Sequence, residues 1–272
     1  MTNAKDLLNE GKLSSAINQV TQDVKSKPAD VASRIFLFEL LCFAGELERA
    51  EKQLDVVGHQ SDQMQIGTIV YREVIAAEKA RRAVFGSGGN PDFLTAPPGY
   101  AALYLEALNL RRVGDGEKAR VLLEKALEIV PSVSVLRDGA EFENFDDSDI
   151  FFGPFLEMFV NEKYAWLPFE QIRRIEISKP KQLRDLLWAR AKVEAKGGDL
   201  GEVFLPVLYP LSSGHQDEAI KLGRITDWID VGGGLTRGVG QKLFLAGGQE
   251  RGFLELAEIV FTEKGEPAPA QS

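Results

Sequence analysis

The 272-residue sequence predicts an α+β protein: an N-terminal TPR-like α–α superhelix followed by a mainly β, mixed α+β C-terminal domain. Three observations predict it. Columns of residues recur at a period of about 34 through the first half. Apolar spacing then switches from helical to alternating. The charge balance also steps near residue 138.

The stretch Gly114 to Pro131 shows the repeat most clearly. A glycine ends one apolar helical pattern, Ala119, Leu123 and Ala126 share a helical face, and a proline stops the second pattern. Gly11, Leu13, Ala16, Val20 and Pro28 stand in the same order, and Gly45, Leu47, Ala50 and Leu54 lie between the two sets. Leu7, Leu41 and Leu110 form a further column. Small residues let paired helices approach, and the apolar ones fill the groove between stacked pairs.

Helices are expected over Ala4–Glu10 and Ser14–Lys25, then, after Pro28, over Ala29–Phe43 and Leu47–Val57. Met64–Phe85 reads as one longer helix. The repeat fails where its partner should follow, because Gly86, Gly88, Gly89 and Pro91 break the chain. That break is either a loop shaping a groove or a decayed repeat. Pro98–Arg112 and Glu117–Val130 resume the pattern.

Residues 1–137 carry 17 bases and 18 acids, and the remainder 15 and 23, so nearly all of the net charge of −9 belongs to the second half. Between Asp138 and Glu162 lie eight acids and no Lys or Arg. This step places a domain boundary near 137/138, with a β-rich domain over 138–264 and a disordered tail over 265–272. Strands are expected at Phe155–Val160 and Tyr164–Leu167 as a hairpin, then at Ile172–Ile177, Trp188–Ala195 and Glu202–Leu208. Pro206 points to an edge or a bulge. Short helical turns are expected at Leu183–Leu187 and Gln216–Leu222, and further strands at Arg224–Val231, Gln241–Ala246 and Leu256–Phe261.

Composition excludes several functions. The acidic balance opposes a phosphate-backbone binder, so no nucleic-acid partner is expected. Arg72, Lys79, Arg81 and Arg82, interleaved with Glu73 and Glu78, read as a solvated face. Met1–Leu13 lacks a signal core, and the apolar run Ile35–Ala44 is too short to span a bilayer. A cytoplasmic location without direct membrane insertion follows. Cys42 inside that run reads as an inert buried thiol. His59 and His215 form no ligand pair, so no metal or other cofactor is expected. No catalytic residues emerge, since no nucleophile elbow is present and Gly240 is not followed by the Lys-Ser/Thr of a P-loop. The glycine loop 232–240 reads as a tight or flexible turn. The run Glu141–Asp149 lacks the calcium-loop glycine and reads as a solvated interdomain segment with Phe142 and Phe145 packed down. Trp166, Trp188 and Trp228 read as core or interface anchors.

Five blocks, in this order behind the helical repeats, carry a more specific signal. They are Trp166-Leu-Pro-Phe-Glu-Gln-Ile172, Leu183-Arg-Asp-Leu-Leu-Trp188, Glu202-Val-Phe-Leu-Pro-Val-Leu-Tyr-Pro210, Leu222-Gly-Arg-Ile-Thr-Asp-Trp228 and Gly238-Val-Gly-Gln-Lys242. Together they resemble the ImpE (TagJ) family of type VI secretion accessory proteins. The resemblance implies a non-enzymatic adaptor that binds a helical segment of the small contractile-sheath subunit. It also implies an association with the AAA+ ATPase that recycles contracted sheath. Pro168, Phe169, Trp188, Pro206, Arg224, Asp227, Trp228 and Gln241 belong to these blocks and are expected to specify the fold.

Stacked helix pairs would offer a concave surface suited to an amphipathic helix. Its candidate lining residues, and so the candidate partner-binding residues, are Arg34, Phe38, Tyr71, Arg72, Tyr104 and Arg111. The competing reading makes the β-rich half an enzyme or small-ligand module. That reading requires a deep pocket with convergent polar groups beside the acidic segment or the glycine loop.

Overall fold

The computed structural model describes residues 3–60, 62–137 and 140–262. The boundary residue Asp138 and the tail 265–272 lie outside the described residues. Seven helices come first: α1 (Ala4–Asn9), α2 (Leu13–Ser26), α3 (Val31–Phe43), α4 (Leu47–Gly58), α5 (Asp62–Gly86), α6 (Gly99–Arg112) and α7 (Gly116–Leu127). Local side-chain caps start three of them, α7 through Asp115, which accepts from the Lys118 N–H. Asn3 and Asp6 close a capping box at α1, and Asp30 accepts from the Ala32 N–H to open α3 after Pro28.

The repeated glycines and leucines share one cause. Gly11, Gly45 and Gly114 take φ of +81°, +78° and +82°, the left-handed conformation that ends a helix cheaply only without a Cβ. Each lets the next residue donate its N–H back to the leucine column: Lys12 to Leu7, Glu46 to Leu41 and Asp115 to Leu110, each at 2.9 Å. These are Schellman closures, and they turn the chain into the second helix of each pair. Ala16, Ala50 and Ala119 are fully buried where the paired helices meet.

The segment after α5 is part of the β-sheet. Strand β1 (Asp92–Phe93) pairs in parallel with β6 (Lys163–Pro168), opposite Ala165 and Trp166. Phe93 meets Phe155 and Trp166 edge-on. The missing half-repeat is therefore replaced by an edge strand.

The remaining strands are β2 (Ser134–Arg137), β3 (Ala140–Glu143), β4 (Asp146–Asp147), β5 (Phe155–Val160), β7 (Ile172–Ile177), β8 (Trp188–Ala195), β9 (Gly198–Pro206), β10 (Thr226–Gly232), β11 (Leu235–Gly240), β12 (Leu243–Ala246), β13 (Gln249–Gly252) and β14 (Glu258–Thr262). A four-residue helix, α8 (Glu218–Lys221), precedes β10. Nine strands form one sheet in the order β1-β6-β5-β9-β8-β7-β14-β2-β3, antiparallel except at β1. The expected β5–β6 hairpin forms with Asn161 at φ +55° in its turn. In β8, Ala191, Val193 and Ala195 point inward while Arg190, Lys192 and Glu194 point out.

Three expectations need correction. Pro206 lies neither on an edge nor at a bulge. Strand β9 runs between β5 and β8, and Pro206 is its last residue, opposite Trp188. A missing donor costs least at such a terminal position. The glycine loop 232–240 is a tight turn, as expected, only at Gly232, Gly233 and Gly234, all at positive φ; Leu235–Gly240 is strand β11, which that turn joins to β10. The acidic segment is also not simply solvated. Glu141 and Glu143 are exposed, but Asp147 and Asp149 are buried, and Phe145 stacks on Phe244 in the core. One continuous apolar core joins the helices and the sheet.

Candidate functional site

The helices and the sheet meet around a buried ion network. Arg81 on α5, expected on a solvated face, is buried instead. Its Nε and Nη2 donate to the two carboxylate oxygens of Glu157 on β5 at 2.7 and 2.8 Å. Nη2 also donates to the Leu208 carbonyl at 2.8 Å. Lys242, just before β12, bridges Glu157 at 2.7 Å and Asp147 on β4 at 2.6 Å. Its ammonium sits 3.9 Å from the Phe152 ring centroid, so an aromatic face covers the remaining side. Tyr164 donates to Glu157 at 2.6 Å, and Tyr209 donates to Asp147 at 2.9 Å.

The electrostatics follow from burial set against these partners. Burial pushes the Glu157 carboxyl up, but Arg81 and Lys242 outweigh it and hold the group at about 2. Burial raises Asp147 despite Lys242. Asp149 is pushed up to about 7 by burial and then by the charge of Asp147. Its two oxygens accept from the backbone N–H groups of Phe151 at 2.9 Å and Gly238 at 2.8 Å.

Such a network joins elements; it does not present reactive groups. The adjoining cavity, lined by Cys42, Glu78, Arg81, Trp188, Tyr209 and Ser212, measures ≈ 30 Å³, the scale of a single water. Among the described residues no group of three or more His, Cys, Asp or Glu could hold a metal ion. Among them, too, no helix is long and apolar enough to cross a membrane.

A second contact zone involves the glycine turns. Residues 212–233 reach all three of them. Arg224 donates to the Leu8 and Asn9 carbonyls at the end of α1, beside Gly11. Glu218 accepts from the Ser14 N–H at 2.9 Å, serving α2 in place of a cap from its own N-terminus. Ser213 lies where a Cβ on Gly45 would stand, and Gly232 and Gly233 meet Gly116 backbone to backbone. Gly45 thus ends a helix and also leaves room for a distant segment, and Gly116, two residues past the Gly114 turn, leaves room for the hairpin tip.

The candidate partner-binding residues divide into two groups. Phe38, Tyr71 and Tyr104 are buried. Tyr71 meets Phe204 at 5.9 Å and lies under Arg184, while Tyr104 meets Phe155 edge-on at 5.2 Å. Arg111 donates to the Phe85 carbonyl at 2.7 Å and lies over Phe151. Tyr71, Tyr104 and Arg111 thus face the protein's own β region, and Phe38 packs edge-on against Tyr71. Arg34 and Arg72 remain at the surface, bonded to Gln53 and Asp55 respectively.

The block residues hold the fold together in several places. Phe169 stacks on Phe261, Pro168 pairs with Phe155, and Trp188 is buried opposite Pro206. Trp228 packs on Tyr209 at 5.8 Å. Asp227 accepts from the Trp228 N–H, and the Gln241 carbonyl accepts from Thr226. Sequence reasoning missed the network of Arg81, Glu157, Asp147 and Lys242. A usable signal was Glu157 itself, a lone acid inside the apolar run Phe155–Val160.

Fold and site define a helical-repeat array locked through buried ions onto a mixed sheet. A sequence model of the ImpE protein family matches residues 139–260. The chain is 36% identical over 258 residues to the type VI secretion system accessory component TagJ of Pseudomonas aeruginosa, covering 95% of this chain and 90% of that protein. Its fold matches an X-ray crystal structure of a protein from Vibrio parahaemolyticus with a TM-score of 0.88 at 24% identity, over 96% of this chain and 97% of the other. The chain belongs to the ImpE (TagJ) family of type VI secretion accessory proteins.

Proposed function

We propose that this protein is a cytoplasmic, non-enzymatic adaptor of a bacterial type VI secretion system. It binds a helical segment of the small contractile-sheath subunit and assists sheath assembly or ATPase-driven recycling. The observation that carries this reading is the 36% identity to the Pseudomonas aeruginosa accessory component across 95% of the chain. Residues 1–137 act as the repeat domain, which lends strands β1 and β2 to the sheet, and 138–264 as the β-rich domain, with 265–272 as a tail. Phe38, Tyr71, Tyr104 and Arg111 are engaged within the chain, so a partner reaches the array through surface groups such as Arg34 and Arg72. Calorimetric titration of the full chain with the intact sheath subunit, and separately with the recycling ATPase, tests the reading. Micromolar or tighter binding to the subunit is expected. No heat and no co-elution with the subunit would overturn it.

A further inference from the structure

Beside the β10–β11 hairpin lies an open groove of ≈ 460 Å³ that the ion network does not use. Its apolar walls come from Leu211, Ile229 and Val239, and its polar groups are Arg237, His215 and Gln216. Ile229 and Arg237 are cross-strand partners, and Val239 follows two residues on, so all three share one hairpin face. The facing loop holds Leu211 at φ +65°, a conformation that residues other than Gly and Asn seldom take. Held strain of this kind tends to gather at binding sites.

The polar groups of the groove are unmatched donors. Arg237 makes one hydrogen bond, from Nη1 to the Pro210 carbonyl at 3.1 Å, and pairs with no carboxylate among the described residues. Asp149 lies close enough to act on its charge, yet both Asp149 oxygens are taken by backbone N–H groups. His215, which lines the groove, accepts the Asp217 N–H at Nδ1, so its Nε2–H remains as a donor. An open, half-apolar groove with a guanidinium fork, an imidazole N–H and an amide matches a carboxylate set among apolar side chains. The net charge of −9 repels a polyacidic partner at long range, so the complement is one acid within an apolar segment.

We propose that this groove receives a segment of the protein partner bearing one Asp or Glu flanked by apolar residues, with the carboxylate on Arg237. The proposal rests on the adaptor reading above and assigns it a surface. Calorimetry with the full chain and the intact small sheath subunit tests it, using wild type, Arg237→Ala, Arg237→Lys and Ile229→Glu. Arg237→Ala is expected to weaken binding about tenfold or more, and Arg237→Lys to recover part of the loss. Raised salt should weaken wild type more than Arg237→Ala. Ile229→Glu sets a carboxylate cross-strand from Arg237, where the ligand's own acid would sit, while leaving the arginine in place, so a loss of binding in this variant with unchanged thermal melting separates recognition from folding. If wild type binds and both Arg237→Ala and Ile229→Glu bind equally well, the groove assignment is overturned while the adaptor reading stands. If wild type does not bind, both are overturned.

Discussion

Helix α5 carries two kinds of ion pair within ten residues. Arg72 reaches Asp55 across the outer surface of the α4–α5 pair, with side chains 44% and 55% exposed. Arg81 reaches Glu157 across the interface with the sheet, with side chains 3% and 1% exposed. Both are arginine–carboxylate pairs from one helix, but the solvent around them differs. On the surface, water competes for both partners and salt screens them. At the interface each charge has lost its water, so each depends on its partner. The energy of the pair therefore comes from the sheet that covers it.

The sharpest test of that difference removes one member of the covered network. Glu157→Ala strips both Arg81 and Lys242 of an anion while leaving them buried. A loss of about 3–5 kcal/mol is expected, enough to bring an ordinary domain close to unfolding. Urea denaturation read by tryptophan fluorescence measures it, since Trp166 lies beside the network through Tyr164. A loss below about 1 kcal/mol would show that water enters the interface, and the contrast with the surface pair would collapse.

The second test concerns the zone where residues 212–233 meet the glycine turns. A Cβ on Gly233 would stand 2.3 Å from the Gly116 carbonyl carbon, and the residue sits at φ +67°. Gly234 has a similar φ of +74° but open space around its Cβ position. Gly234→Ala therefore reports the backbone cost alone, roughly 1 kcal/mol. Gly233→Ala adds a backbone collision and is expected to cost about 2 kcal/mol or more. Thermal melts of the two variants side by side isolate the close approach. Equal losses would mean that the hairpin tip lifts off α7 at little cost.

The third test uses pH to compare two buried acids. Glu157 is held at about 2 against an ordinary 4.5, so its stabilisation is full above pH 4.5 and is lost as pH falls toward 2. Asp149 is pushed up to about 7 against 3.8. Between those values the folded state keeps a proton that the unfolded chain releases, so stability falls as pH rises from about 4 to about 7. One proton gives a slope of at most about 1.4 kcal/mol per pH unit. Asp149→Asn should flatten that part of the profile and leave the acid limb set by Glu157. Denaturation midpoints between pH 3 and 8 measure both. An unchanged slope in the variant would assign the decline to other groups.

What was legible in the sequence is what local geometry dictates. The columns Gly11, Gly45, Gly114 and Leu7, Leu41, Leu110 are legible because each Schellman closure needs both members within a few residues. The alternation of β8 and the turn at Asn161 are local as well. Strand β11 escaped because its glycines hide the alternation. The destination of Arg81 was partly legible. It stands four residues beyond Ala77 and seven beyond Val74, on the buried face of α5, while its basic neighbours turn away. Nothing local says that Glu157 waits opposite, 76 residues on, or that Ser213, Arg224 and Gly233 reach back to the repeat turns. The expected concave groove failed for the same reason. The helical array offers that face, and a sheet encoded later in the chain covers it.

The smallest expected effect returns to the surface pair. Arg72→Ala removes the 2.5 Å contact with Asp55, but Asp55 regains its water and the entropic cost of holding the arginine side chain in one rotamer disappears with it. The net change in stability should stay within about 1 kcal/mol and shrink further in high salt. The same substitution is more informative in binding. If Arg72 meets the sheath subunit, its loss changes affinity and salt dependence while melting stays constant, which the buried Arg81 could never allow. A stability loss rivalling that of Glu157→Ala would mean that exposure does not set the worth of an ion pair on α5.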